Sequence, residues 1–185
     1  KITAFLSTYF KKAKRKIALI GLSGGLDSAV TLALCVRALG KNRALAVLLP
    51  SPSTPARDLK DAKVLAKKLG VKTVVFSIGP ALGPFGHLAK GKLNRANLSA
   101  RLRMAILYSI ARKRSGLVVG TGDKSEFLLG YFTKYGDGGA DLFPIGGLYK
   151  TEVKKLGEHL RLPKSILQKP PSPALWKGHT AEGEL

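Results

Sequence analysis

The sequence predicts a three-layer α/β fold: an open parallel sheet with helices on both faces. Short β-branched and aliphatic runs alternate with longer amphipathic stretches, which is the pattern of βαβ units. Two of the long stretches end at a glycine, Gly40 and Gly70, where a helix hands over to the next strand. With 185 residues, 45% of them hydrophobic, the chain can bury a substantial core.

Taken in order, Ile2, Phe5, Leu6, Tyr9 and Phe10 fall at helical spacing within residues 2–13 and mark a helix with one apolar stripe. Residues 17–22 read as a buried first strand, residues 23–28 as a turn, and residues 29–39 as a mostly apolar helix. Residues 44–49 are a second strand, followed by a Pro- and Ser-rich loop over 50–55. In the helix predicted over 57–69, Leu59, Ala62, Leu65, Ala66 and Leu69 face inward, and Lys60, Lys63 and Lys67 form a solvated face. Residues 73–78 form strand three, 79–94 a loop, 97–114 a long helix and 117–120 strand four. Beyond Gly120 the texture changes to short helices between Gly-rich loops. Working loops belong at the carboxyl ends of such strands. A single domain over residues 1–185 is expected, with a C-terminal segment that is short or truncated.

The charge narrows the partners. There are 32 Lys and Arg against 11 Asp and Glu, a formal net charge of +21, which excludes a halophile-type acidic surface. It favours polyanionic company: nucleic acid, a membrane surface or phosphorylated small molecules. No apolar run approaches the roughly 18–20 residues of a membrane span. The basic run at 11–16 follows the first apolar residues instead of preceding them, unlike a signal peptide. A lone cysteine, Cys35, cannot form an internal disulfide, so a reducing cytoplasm is the expected compartment. Its apolar neighbours Ala33, Leu34 and Val36 predict a buried, inert thiol.

The string Ser23-Gly24-Gly25-Leu26-Asp27-Ser28 carries the chemistry. It lies between a strand and a helix, where N-terminal amides and the helix dipole favour an anion. Gly24 and Gly25 let backbone approach a phosphate chain, and Ser23 and Ser28 add hydroxyl donors. Asp27 would repel a naked phosphate and so implies a metal between carboxylate and nucleotide. A Walker loop is ruled out because no Gly-Lys-Ser/Thr follows, and the dinucleotide fingerprint because the glycines have the wrong spacing. The string resembles the pyrophosphate loop (PP-loop) of the N-type ATP pyrophosphatases, which cleave ATP between its α and β phosphates.

A second motif selects within that group. It comprises Gly120-Thr121-Gly122-Asp123-Lys124-Ser125-Glu126, the stretch from Gly130 through Lys134 and Asp137 to Asp141, Pro144, and Leu148-Tyr149-Lys150-Thr151-Glu152-Val153. It closely resembles the ammonia-dependent NAD synthetases, which have a Rossmann-like, adenine nucleotide alpha hydrolase-like fold. The resemblance implies that Ser23, Gly24, Gly25, Leu26, Asp27 and Ser28 hold the ATP phosphates, with Thr121, Lys150 and Ser172 as further ATP contacts. It implies Asp27 and Glu126 as ligands of Mg²⁺, with Asp27, Glu126 and Lys150 as the catalytic set. Arg101, Lys134 and Asp141 match positions that hold deamido-NAD. A homodimer is implied, because the family reads deamido-NAD across a subunit interface. With no glutaminase module ahead of the synthetase region, free ammonia or a separate glutaminase partner is the implied nitrogen source.

These residue types suit the implied reaction, in which ATP activates a nicotinate carboxylate as an acyl adenylate and ammonia then displaces AMP. Two anions must meet in the first step, and Mg²⁺, Lys134 and Lys150 would offset their repulsion. The adenylate needs shielding from water, for which the Gly-rich segment 136–139 is a candidate closing loop. His87 and His159 read as solvated or capping residues, and Leu175 and Trp176 as anchors of the tail. Within that tail Ala174 and Ala181 stand where the family usually has Asp, and His179 where it often has Gln. Those departures motivate two other readings: a non-catalytic nucleotide-binding module and, from the charge, an RNA-modifying pyrophosphatase of the same fold. Against the RNA reading, four of the eleven acids (Asp123, Glu126, Asp137, Asp141) fall in the second motif, so carboxylates persist where a metal and substrate would need them.

Overall fold

The computed structural model describes residues 1–170. In chain order the elements are α1 (Ile2–Lys12), β1 (Ile17–Gly21), α2 (Leu26–Leu39), β2 (Ala44–Leu48), α3 (Ala56–Lys68), β3 (Lys72–Val75), α4 (Gly79–Leu82), α5 (Lys92–Arg114), β4 (Gly116–Val118), α6 (Lys124–Leu129), α7 (Lys150–His159) and α8 (Lys164–Leu167). The four strands form a parallel sheet in the order β3-β2-β1-β4.

Side chains alternate across the strands and so divide the core into two clusters. Ala18, Ile20, Ala46 and Leu48 pack with Leu6 and Phe10 of α1, Val30 and Leu34 of α2, Leu65 of α3 and Val153 of α7. Leu19, Leu45 and Val47 point the other way, onto Met104, Leu107 and Ala111 of α5. Helices therefore cover both faces, as predicted. The chain leaves β1 toward β2 and β3 on one side and returns to place β4 on the other. The sheet's switch point thus lies between β1 and β4, and the two sequence motifs are the segments that follow these strands.

Three boundaries differ most from those expected from sequence. Helix α2 starts at Leu26, so Asp27 and Ser28 belong to its first turn and not to the preceding loop. Strand β3 ends at Val75, although Phe76 and Ile78 still donate to the carbonyls of Leu48 and Pro50. The loop expected over 79–94 contains α4, a 3-10 turn at Gly83–Phe85 and the first residues of α5. That early turn of α5 is solvated, with Ala96 its first buried residue, so no apolar periodicity announced it.

Cys35 is fully buried, and burial pushes its thiol up to about 12, so it is inert as expected. His87, His159, Lys60, Lys63 and Lys67 are exposed. Segment 136–139, the candidate closing loop, is an internally bonded turn: Gly136 and Gly138 donate to the Thr133 carbonyl, and the Asp137 carboxylate accepts from the Thr133 amide. Its glycines serve close packing, since a Cβ on Gly136 would meet Ala100 at 2.8 Å. No helix among the described residues is long and apolar enough to cross a membrane.

Candidate functional site

The loop after β1 is organised by its own hydroxyls. Ser28 Oγ lies 3.0 Å from Ser23 Oγ, accepts from the Ser23 amide and is within hydrogen-bonding distance of the Gly25 carbonyl. The Gly25 amide donates to Ser23 Oγ at 3.2 Å. Gly24 has φ +86°, which favours glycine, and a Cβ there would collide with the backbone of Asp58 at the start of α3. Leu26 opens α2 and packs against the core, while Asp27 sits in the helix's first turn, where the dipole favours a carboxylate.

The loop after β4 supplies the opposing wall. Asp123 caps α6: its Oδ1 accepts from the Glu126 amide at 2.8 Å, while Glu126 Oε2 accepts from the Asp123 amide at 3.1 Å. This capping box fixes the Glu126 carboxylate. Lys150 is the first residue of α7, and its amide donates to Ser125 Oγ, tying the starts of α6 and α7 together. A cation at that end opposes the helix dipole. Three carboxylates offset this: Lys150 Nζ lies 2.8 Å from Asp27 Oδ1, 2.8 Å from Asp123 Oδ2 and 3.2 Å from Glu126 Oε1.

One ammonium among three carboxylates leaves excess negative charge. Burial pushes the Asp27 carboxyl up, and the attraction of Lys150 does not cancel it. Burial and then the Asp27 charge carry Glu126 to about 7. Burial works against the Lys150 charge, but Asp27 and Glu126 outweigh it and raise that group. Asp27 and Glu126 present hard oxygens to a common point now holding a cation, a donor set that suits a small divalent metal. Among the described residues no group of three or more His, Cys, Asp or Glu side chains forms a metal cage of its own. Phosphate oxygens and water would have to complete such a shell.

Of the other residues predicted from sequence, Thr121 is half-buried between β4 and α6, and Ser172 lies outside the described residues, as do Ala174, Leu175, Trp176, His179 and Ala181. Arg101 and Lys134 are brought together: Arg101 Nε donates to the Lys134 carbonyl at 3.1 Å, and both side chains are exposed. Lys134 Nζ stands 5.1 Å from the Tyr135 ring centre. Asp141 joins a different group. Its Oδ2 accepts from the Val118 amide at 2.7 Å and its Oδ1 from the Tyr108 hydroxyl at 3.3 Å, so its carboxylate closes the free edge of β4. Sequence alone marks Asp123 only as one of the second motif's acids, though the Asp-x-x-Glu spacing of a capping box also singles it out. Lys169, which touches the phosphate loop from the opposite side, had no local signal at all.

Comparison with known proteins bears on the whole chain. The family model described as NAD synthase matches residues 1–185. The NH(3)-dependent NAD(+) synthetase of Staphylothermus marinus is 49% identical over 189 residues, covering 100% of this chain and 69% of that relative. The structure of an NMN synthetase from Francisella tularensis superposes with a TM-score of 0.94 at 39% identity, over 99% of this chain and 77% of that one. An NH3-dependent NAD synthetase from Campylobacter jejuni, solved with a nitrate ion, gives a TM-score of 0.87 at 35% identity, over 91% and 74%.

Proposed function

The chain belongs to the NAD synthase family, and from that premise we propose that it amidates deamido-NAD to NAD with ammonia, converting ATP to AMP and pyrophosphate. The observation that carries this reading is the meeting of both motifs at one point, where Asp27, in the helix after the first motif, and Glu126 both lie within 3.2 Å of Lys150 Nζ. ATP is the co-substrate, with Ser23, Gly24, Gly25, Leu26, Asp27, Ser28, Thr121, Lys150 and Ser172 as its contacts. Arg101, Lys134 and Asp141 are the deamido-NAD residues.

Asp27 and Glu126 would hold Mg²⁺, which when bound neutralises charge on the phosphate chain. The remaining work falls to the chain's own groups. Loop amides and the Ser23 and Ser28 hydroxyls orient the phosphates, and Lys150 adds a positive charge beside them. The nicotinate carboxylate attacks the α-phosphorus, the bond to the β-phosphate oxygen breaks, and pyrophosphate leaves. Ammonia then adds to the acyl carbon, AMP departs with the former carboxylate oxygen, and nitrogen loses a proton. No protein nucleophile is needed, in keeping with the inert Cys35.

We read residues 1–185 as one catalytic domain working as a homodimer in the cytoplasm. Its ammonia comes from solution or from a separate glutaminase. These points rest on the family resemblance and the lone cysteine. The RNA-modifying and non-catalytic readings are not favoured by the relatives found. The Francisella relative supports one further acceptor for assay, the mononucleotide analogue of deamido-NAD, which offers the same carboxylate. The test is incubation with ATP, Mg²⁺, ammonia and each acceptor. NAD, AMP and pyrophosphate should appear together, and only when deamido-NAD is supplied. ATP binding without pyrophosphate release for either acceptor would overturn the proposal.

A further inference from the structure

Behind the phosphate loop, away from the Lys150 centre, lies a second half-buried cation. Lys169, just after α8, places Nζ 2.8 Å from the Gly24 carbonyl, 2.8 Å from Asp58 Oδ1 and 2.8 Å from Asp61 Oδ2. An ammonium has three donors, and these three acceptors match them. Asp61 Oδ1 also accepts from Ser165 Oγ at 3.0 Å. One side chain therefore joins the chain after α8, the first turns of α3 and the loop between β1 and α2.

We infer that Lys169 is a positioning residue for ATP, holding the Gly24–Gly25 peptide of the phosphate loop in its anion-binding orientation. The inference rests on the proposed use of that loop. A trans peptide points its C=O and N–H in opposite directions. With the Gly24 oxygen anchored on Lys169, the Gly25 amide faces the other way and donates to Ser23 Oγ. A cation on the carbonyl also polarises the peptide and strengthens its N–H as a donor. Lys169 thus fixes the peptide from behind the loop, with its charge offset by Asp58 and Asp61, and without occupying the space a phosphate would take. The close approach of Gly24 to the Asp58 backbone fixes the same peptide independently, since a Cβ at Gly24 leaves no room there.

A role limited to holding α8 in place is a poorer fit. Ile166 is fully buried, and Leu167 packs against the same core, so α8 has its own apolar anchor. Nor does an anchor for α8 require contact with the Gly24 carbonyl.

The test uses two variants of the full chain. K169M keeps the apolar stem but strands two carboxylates, so it risks misfolding. The triple variant K169M/D58N/D61N removes the whole charge cluster with near-identical shape and keeps the test open if K169M fails to fold. Thermal midpoints, KM for ATP, KM for deamido-NAD and direct binding of ATP without acceptor are measured for each. The expected result is a folded triple variant whose ATP affinity and KM for ATP are weakened roughly 10–100-fold, the range for groups that orient binding ligands. Its KM for deamido-NAD should stay within about twofold. A folded triple variant with unchanged ATP binding overturns the inference, as does an equal loss for both substrates. The binding arm separates the two proposals. If the wild type binds ATP but never forms NAD, the reaction assignment fails while the Lys169 comparison can still be read. If the wild type forms NAD and the variant binds ATP equally well, only Lys169 is misassigned.

Discussion

Two lysines flank the phosphate loop, and their surroundings differ in a way that separates chemistry from support. Lys150 meets Asp27, Asp123 and Glu126, and Lys169 meets Asp58 and Asp61, with the closest contacts of both at 2.8 Å. Around Lys169 the hydrogen bonds outweigh burial: burial pushes Asp61 up, but bonds from Lys169 and Ser165 hold that carboxyl below its usual range. Around Lys150 they do not, and Asp27 and Glu126 are both raised. The Lys169 side chain is 14% exposed and the Lys150 side chain 31%. The first cluster is complete and closed. The second is open and short of positive charge, which suits the proposed binding of a metal and an anionic nucleotide there.

The contrast breaks most sharply at the open centre. D27N and E126Q should each lower NAD formation by about 10²–10³-fold or more, the scale of losing one preorganised electrostatic group, with the fold intact by circular dichroism. Either variant retaining full turnover would remove the distinction. Asp123 comes next. D123N preserves the N-cap but not the charge and should cost roughly 10–100-fold in activity with little change in stability. D123A should add a stability loss of about 0.5–2 kcal/mol, read by urea denaturation.

A smaller effect lies in the pH dependence of the metal-free protein. Glu126 is carried from its ordinary 4.5 to about 7. Between those values the folded chain keeps a proton that the unfolded chain has lost. Stability from this source is therefore fully present below 4.5 and is lost as pH rises through about 7. Asp27, also raised, acts in the same direction. E126Q should flatten the fall in denaturation midpoint across that window, and an unchanged slope would mean that the open centre carries no strain. The smallest effect is expected from Arg57, which approaches Asp61 at 4.0 Å from a largely exposed position. R57A should change stability by no more than about 0.5 kcal/mol, because Lys169 already completes that cluster. A larger loss would show the closed centre to be less self-contained than its geometry implies.

Much of this was legible in the sequence, for physical reasons that can be named. Ile17, Ala18, Leu19 and Ile20 announce a strand buried on both faces, and the six residues from Ser23 mark the candidate anion site after it. Asp27, Glu126 and Lys150 stood out because each sits in a short sequence string that needs no knowledge of the fold. Asp123 was half-visible: its spacing from Glu126 marks a helix cap, but only the folded chain brings Lys150 to it. Lys169 was invisible, because its partners at 24, 58 and 61 are more than a hundred residues away and nothing local selects one lysine among the many in this chain. The glycines at 136 and 138 carry a second meaning that only the fold supplies. They signal flexibility in isolation, whereas here they admit the close approach of Ala100 and Phe132. The early start of α5 was missed because its first turn buries nothing.

The most direct measurement follows oxygen through the reaction. Deamido-NAD labelled with oxygen-18 in its nicotinate carboxylate is incubated with the full chain, ATP, Mg²⁺ and ammonia, and the nucleotide products are weighed by mass spectrometry. An acyl adenylate built over the Asp27–Glu126–Lys150 centre predicts AMP carrying one labelled oxygen, formed in equal amount with NAD. Unlabelled AMP, or ADP in its place, would contradict the account.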